Sequence, residues 1–508
     1  MPKPSAARYR HSVAMSQAVH TELAQHLLRA DGQEDICLAT YAPSTGASRT
    51  TRIIATVELP LEGEREVHRN ATITGGYVLR VATEAARTGR GVALLHSHPG
   101  APGWQGLSGP DFDCESSYAG LVQQLTGLPL VGMTLAGGDH TWSARVWIEG
   151  NPQWAGSVRR VGPTMITSWC NDRVPALDDK RSQTRTISAW GEHTHRDITR
   201  LRVLVVGVGS VGLDIVQRLA ATGLLDIGVM DYDHVEELNR DRMIGATRRD
   251  ARLRRRKIDV ASRLAHRAAT SRSLTVRRHA DSICAPTGQA AALDYDVIFC
   301  CVDRPWPRAV LNAIAYADLI PVIDGGIAID TLPTGRMRGA TRRAQTVVPG
   351  RPCLTCSGQI SMTEVALEMS GDLDDPEYIR RAGREKVSGR PNVAALCAGV
   401  GASQLEQFVS LVAHPGGQPV PGPLRFSLAA HHLEHLPHHT QRYCPAERAV
   451  AVGDARTAMT RDPSAIANAT NAPLRSREAA HWRGGWIGAL RCRVNDLIDH
   501  LVESVHNA

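Results

Sequence analysis

Two groups of residues on this chain have the types and spacing to do chemistry. The first is His96-Ser97-His98-Pro99, followed by Ser108-Gly109-Pro110-Asp111. Residues i and i+2 of a strand point the same way, so His96 and His98 can face one ion, and Asp111 supplies a third, harder ligand. Three protein ligands leave one tetrahedral position for water, the arrangement of catalytic rather than structural zinc. The ion lowers the pKa of that water towards ~7, and a carboxylate must then collect its proton. Glu34, leading into Asp35-Ile36-Cys37-Leu38, is the candidate base, and Glu58 is its rival. Ser108 can donate a hydrogen bond to a tetrahedral oxyanion. Plainer readings stand beside these. Ser108 to Asp111 spells a helix capping box with Pro110 in the first turn, and Glu34 can be an ordinary charge at a strand entrance.

The second group is Gly207-Val208-Gly209-Ser210-Val211-Gly212, then Asp231-Tyr232-Asp233 and Asn239-Arg240-Asp241-Arg242. The apolar run Leu201–Val206 predicts a strand, and Gly207, Gly209 and Gly212 let the backbone turn tightly against phosphates at a helix N-terminus. A second strand, Asp226–Met230, delivers Asp231 to a ribose hydroxyl. This much would also suit a nicotinamide-dependent oxidoreductase.

The elements that must position these residues divide the chain. The sequence predicts a helix over Ser12–Leu28, strands around Ile36–Ala39, Ile53–Val57, Val92–Leu95, Leu130–Leu135 and Ala144–Ile148, and helices over Gly75–Arg87 and Phe112–Leu125. The expected domains are 1–152, a polar linker 153–183, an α/β unit 184–455 with the βαβ alternation of a parallel sheet, and a helical tail 456–508. A chain of 508 residues exceeds one ordinary core. No run reaches the ~18 to 20 apolar residues of a membrane span, and no signal peptide is evident. Eleven cysteines, including the adjacent pair Cys300-Cys301, do not resemble a disulfide framework, which fits a reducing cytoplasm. The net charge of +7 is carried almost wholly by arginine, with lysine at positions 3, 180, 257 and 386 alone. The cluster Arg248 to Arg256 lacks interleaved aromatics, so a solvated or phosphate-facing helix is expected and nucleic acid is not.

The first group resembles the JAMM (MPN/JAB) metalloproteases, which cleave after the C-terminal glycine of ubiquitin-like proteins. Over about residues 10 to 150 the resemblance implies an α+β domain with Glu34 as base, His96, His98 and Asp111 as zinc ligands, and Ser108 as oxyanion helper. Eight residues separate Pro99 from Ser108, where that family usually has seven.

The second group resembles the ThiF/MoeB-type adenylyltransferases and ubiquitin-activating enzymes over roughly residues 180 to 410. Their pattern is Asp-x-Asp-x-Val, then Asn and Arg at the offsets of Asn239 and Arg242, and later a Cys-x-Asp matched by Cys301-Val302-Asp303. The resemblance implies a Rossmann-like α/β fold binding ATP and Mg²⁺. Gly207, Gly209, Gly212, Asp231, Asp233 and Asn239 would hold the nucleotide, and Asp303 the metal. Arg185, Arg242 and Lys257 would neutralise phosphate charge, Arg185 commonly from the other subunit of a homodimer. Lys257 lies about two residues beyond the usual offset, so Arg255 or Arg256 can share its role, and Arg304 replaces the usual asparagine. Cys353-Leu354-Thr355-Cys356 looks like half of the family's structural zinc site, with Cys444 and a histidine among 431 to 439 available to complete it. No thioester cysteine lies in Ser357–Ala395, which leaves Cys353, Cys356 and Cys397. Such fusions occur in bacterial ubiquitin-like conjugation, including antiphage systems, and in sulfur transfer. The expected partner is a β-grasp ubiquitin-like or sulfur-carrier protein ending in glycine, with a conjugating enzyme or sulfurtransferase beyond it and no membrane. A non-catalytic scaffold is the remaining rival.

Overall fold

The computed structural model describes residues 10–68, 70–171, 181–374, 391–437 and 439–460. Most of the expected helical tail 456–508 therefore lies outside the described residues. The first unit is a mixed sheet. Its strands are β1 (His11–Ser16), β2 (Ile36–Thr45), β3 (Thr50–Glu58), β6 (Gly91–His98), β7 (Val131–Ala136), β8 (Trp142–Ile148), β9 (Asn151–Trp154), β10 (Ser157–Val161) and β11 (Met165–Trp169). A separate hairpin of β4 (Arg65–His68) and β5 (Asn70–Ile73) stands apart. The nine strands run in the order β11-β10-β1-β3-β2-β6-β7-β8-β9. Alternate residues serve opposite faces. Cys37, Ala39, Ala93 and Leu95 pack with Leu23 and Leu27 of α1 (Gln17–Leu27). Ile36, Leu38, Val92 and Leu94 pack with α2 (Gly75–Arg87) and with Val122 of α3 (Gly109–Thr126).

Two expectations are corrected here. The helix over Ser12–Leu28 begins only at Gln17, where the Ser16 side chain caps it by accepting from the Val19 N–H. Residues 11–16 are instead a central strand, parallel to both β3 and β10. Both faces of β1 are buried, and a short apolar run of that kind does not distinguish strand from helix. The linker 153–183 is also corrected, because β10 and β11 complete the first sheet. The charges that made this stretch read as a polar linker include Arg159, which is fully buried against an aspartate far away in sequence.

The second unit has β12 (Arg202–Val206), β13 (Asp226–Met230), β14 (Thr275–His279), β15 (Val297–Cys300), β16 (Val322–Thr331), β17 (Met337–Val347), β18 (Leu424–Ser427) and β19 (His432–His435), in the order β14-β13-β12-β15-β16-β17-β18-β19. The first five are parallel and the rest antiparallel. Helices cover both faces: α6 (Ser210–Thr222) and α8 (Lys257–Ala268) on one, α9 (Pro286–Ala292), α10 (Pro305–Ala317) and α11 (Met362–Ser370) on the other. Short helices α4 (Thr184–Trp190), α5 (Glu192–Arg200) and α7 (Arg248–Leu253) lie on the connections. Strand order reverses between β12 and β15, and in such sheets ligands bind outside the carboxyl ends at that switch point.

Helix α12 (Ala394–Ala413) is long and apolar enough to cross a membrane by composition, an exception to the expectation of no such run. It packs on α6, β16 and β17 and buries Gln404, whose amide donates to the carbonyls of Cys300 (3.1 Å) and Ile323 (2.8 Å). That is the behaviour of a core helix. A last short helix, α13 (Pro445–Arg448), closes the described fold beside α10. The arginine cluster is partly consumed internally: Arg255 and Arg263 converge on Asp250 at 3.6 and 2.7 Å.

The two units share a core in which Ala14, Ile53, Val161, Met165 and Trp169 join Val203, Val205, Leu213 and Phe408. At its edge, Asp296 accepts from Arg49 (2.7 Å), from Arg159 and from the Arg202 N–H (2.9 Å). Ser44 and Arg456 meet on buried Asp318 at 2.8 and 2.7 Å, and burial pushes that carboxyl up to about 6. Burial works against Asp296 too, but Arg49 and Arg159 hold it down at about 2. A depressed carboxyl stabilises the fold above its unfolded value of ~3.9 and loses that contribution as pH falls through the folded one. Asp296→Ala strands two buried guanidiniums, so the expected loss is about 3–5 kcal/mol in denaturant unfolding. The wild-type advantage over this variant should shrink as pH is lowered from 4 towards 2.

Candidate functional site

The cavity lies at the switch point and measures about 880 Å³. Chain direction changes sharply after β12 because Gly207 takes φ +87°, and a Cβ there would lie 2.8 Å from the Cys301 carbonyl oxygen. Gly212 approaches even more closely, since a Cβ would sit 2.1 Å from the Gly207 oxygen. Gly209 is the N-cap of α6 and offers no side chain to the first turn, so that helix end opens towards the cavity.

Asp231, just after β13, joins two loops. Its carboxylate accepts from the Val208 N–H at 3.0 Å and the Asp233 N–H at 2.8 Å. Each oxygen keeps a second lone pair for a ligand hydroxyl. Burial raises this carboxyl above its usual value, against the pull of Lys257. Lys257 donates from Nζ to Asp233 at 2.7 Å, and its N–H donates to the Asp233 carbonyl at 2.9 Å. Burial favours its neutral amine, but Asp231 and Asp233 outweigh that and hold the ammonium above its ordinary value.

Asn239 and Arg242 line the same wall, Asn239 accepting from the Glu236 N–H at 3.0 Å and Arg242 donating to the Leu238 carbonyl at 2.6 Å. Opposite them Asp303 stands exposed on the cavity, followed by Arg304, which binds Glu368 at 2.6 Å. The structure thus brings together Gly207, Gly209, Asp231, Asp233, Asn239, Arg242, Lys257 and Asp303, with Gly212 packed beneath. Arg255 and Arg256 do not line the cavity, and Arg185 is exposed on α4 away from it. The carboxylates of Asp231, Asp233, Asp281 and Asp303 beside several cations could hold a magnesium nucleotide.

Sequence reasoning missed the wall formed by Arg308, Gly325, Gly326 and Arg343. The signal available was Asp324-Gly325-Gly326 directly after the apolar run Val322-Ile323 that opens β16. Cys397 also lines the cavity, but burial raises its thiol, which is not the state of an activated nucleophile.

At the end of β6, His96 and His98 face the N-terminus of α3. Their Nε2 atoms lie 3.4 and 3.7 Å from the two Asp111 oxygens. Ligand atoms ~3.3 Å apart are what a tetrahedral ion with bonds of ~2.0–2.1 Å requires, so this donor set fits zinc. Burial opposes the Asp111 charge, yet hydrogen bonds from both imidazoles keep its carboxyl well below the usual range. His98 is correspondingly raised, first by Asp111, and the Glu34 charge adds to this. Ile36 pairs with His96 and the Ser97 N–H donates to the Asp35 carbonyl, so Glu34 follows in register towards His98. Glu58 pairs with Leu38, further down the sheet. Ser108 caps α3 and donates to Asp111 at 2.7 Å.

Cys353, Cys356 and Cys444 converge, with Cys353 Sγ 3.6 Å from Cys444 Sγ. That spacing suits a shared ion with bonds of ~2.3 Å. A fourth ligand from the histidines is not brought in among the described residues: His435 accepts from the Gly422 N–H at 2.8 Å, and His438 lies outside them.

A profile of the ThiF family matches residues 181–446. The chain is similar to SUMO-activating enzyme subunit 2 of Dictyostelium discoideum, 23% identical over 142 residues covering 28% of this chain and 21% of that one. It is similar to adenylyltransferase and sulfurtransferase MOCS3 of Drosophila willistoni, 28% identical over 170 residues covering 34% and 35%. It thus spans about a fifth to a third of the length of these relatives. Among solved structures, E. coli MccB with ATP aligns with a TM-score of 0.41 at 15% identity, covering 54% of this chain and 76% of that one.

Both donor sets generate one expectation about metal. Purified protein should carry about two equivalents of zinc by emission spectroscopy. His98→Ala should remove one equivalent and Cys353→Ser the other. Retention of both in either variant would contradict the assignment.

Proposed function

The chain belongs to the ThiF family, and on that premise we propose that its second unit uses ATP to adenylate the C-terminal carboxylate of a small carrier protein. The supporting observation is the gathering of Gly207, Asp231, Asn239, Arg242, Lys257 and Asp303 around one cavity at the switch point of the sheet. A carboxylate oxygen attacks the α-phosphorus, the bond from that phosphorus to the bridging oxygen of the β-phosphate breaks, and pyrophosphate leaves. Backbone N–H groups from Gly209 into the start of α6 hold phosphate oxygens. Asp231 orients the ribose, and Lys257 and Arg242 take up charge on the departing pyrophosphate. Mg²⁺, when bound, supplies further charge neutralisation, and Asp303 would hold it. The substrate is a ubiquitin-like or sulfur-carrier protein with a C-terminal glycine; one relative is named a SUMO-activating enzyme subunit and another an adenylyltransferase and sulfurtransferase. Arg185, exposed on α4, serves the partner's cavity in a homodimer.

The three-atom cluster of His96, His98 and Asp111 supports a second activity in the first unit. It is a zinc-dependent peptidase that exposes or releases the carrier's terminal glycine, with Glu34 taking the proton of the attacking water. Glu34→Ala should then retain zinc and lose cleavage of a tail-extended carrier.

An enzyme that joins a carboxylate to AMP must also run backwards, so labelled pyrophosphate should exchange into ATP, and only with a carrier whose glycine is free. Asp303→Ala should abolish the exchange. Lys257→Ala should slow it about a hundredfold or more, the cost of losing a cation at developing phosphate charge. Binding of NAD with no pyrophosphate exchange would overturn the reading.

A further inference from the structure

Beyond Asp303 the cavity continues along the sheet over β16 and β17. Arg308 of α10 and Arg343 of β17 converge there on the single carboxylate of Asp324, which is fully buried. Arg308 lies 3.4 Å from it and is further fixed by the carbonyls of Val302 (3.2 Å) and Gly325 (3.3 Å). Two guanidiniums share the one carboxylate they both touch, and the Asp303 charge acts on Arg308 from further off. The next arginine on that wall, Arg425, sits directly across from Arg343 but is matched by Glu434 at 2.6 Å.

Gly326 defines what the pair faces. On β16 the adjacent Gly325 turns towards Gln404 of α12, whereas a Cβ on Gly326 would lie 3.2 Å from Arg308 Nη2 and 3.3 Å from Arg343 Nη2. The two forks therefore lie over a bare stretch of backbone on the cavity side. Oriented guanidiniums match a planar carboxylate in two-pronged hydrogen bonds better than an ammonium does.

Sheet order says which anion this is. Asp231 follows β13, the glycine turn follows β12, Asp303 follows β15, and the arginine pair stands over β16 and β17. Lys257 and Arg242 lie on the β13 side, where they draw the leaving pyrophosphate. In-line displacement at the α-phosphorus requires the entering oxygen to come from the opposite side, which is the side of Arg308 and Arg343. Resting on the adenylation reading above, we propose that Arg308 and Arg343, spaced by Asp324 and admitted by Gly326, dock the incoming carboxylate of the carrier's last residue and aim it at the α-phosphate.

The test uses the full chain with Mg²⁺ and α,β-methylene ATP, and titrates N-acetylglycylglycine against its C-terminal amide by calorimetry. Wild type should bind the acid about tenfold or more tighter than the amide, equivalent to ~1.4 kcal/mol. Arg343→Gln and Arg308→Gln should each bring the two ligands to within about threefold, with nucleotide affinity changed by less than that. Should Arg343→Gln lose nucleotide binding through misfolding, Arg343→Lys keeps the charge beside Asp324 and should still lose the acid preference. No binding of the acid by wild type, equal binding of acid and amide, or a preference kept in the variants overturns the docking role. Weakened nucleotide binding with the acid preference intact also overturns it, by assigning the pair to the phosphates. Failure of wild type to bind the nucleotide at all would instead defeat the adenylation reading on which the proposal rests.

Discussion

The carboxylate of Asp231 holds the β13 end of the cavity in shape. By accepting the N–H groups of Val208 and Asp233 it makes the turn after β12 and the turn after β13 one rigid piece. Asp233 then carries Lys257, and through it the start of α8. Without that carboxylate the glycine turn would have no fixed relation to the cation that faces it. The cost is a buried acid raised in pKa, and Lys257 offsets it. Preorganisation of this sort is what transfer from ATP demands, because the protein contributes position and charge more than covalent chemistry.

A second constraint sets the relation between the units. Arg49, Arg159 and Ser44 of the first unit meet Asp296 and Asp318 of the second near the starts of β15 and β16. That is the amino-terminal edge of the sheet, and the cavity lined by Gly207, Asp231 and Asp303 is at the carboxyl edge. His96 and His98 lie at the other end of β2 from Ser44, a distance of about 26 Å for eight steps of strand from Ile36. The two units share a core between these two edges.

Local chemistry was legible in the sequence wherever neighbours along the chain do the work. The runs of β12 and β13, the glycine turn between them and the His-x-His end of β6 depend on period and spacing alone, and the structure has them where they were expected. What stayed hidden depends on partners distant in sequence. Arg159 reads as one charge of a polar linker until Asp296 is known to neutralise it 137 residues later. The strand β1 reads as helix because both of its faces are covered by elements from elsewhere. Arg308 and Arg343 become a pair only through Asp324, and Cys444 joins Cys353 across 91 residues.

A crystal structure of the chain grown with manganese and a non-cleavable ATP analogue tests the central claim most directly. The account predicts an anomalous manganese peak at about 2.1–2.2 Å from an Asp303 oxygen, the ribose on Asp231, and the terminal phosphates towards Lys257 and Arg242. A nucleotide bound with no metal at Asp303, or with its phosphates directed over Arg308 and Arg343 instead, would contradict it.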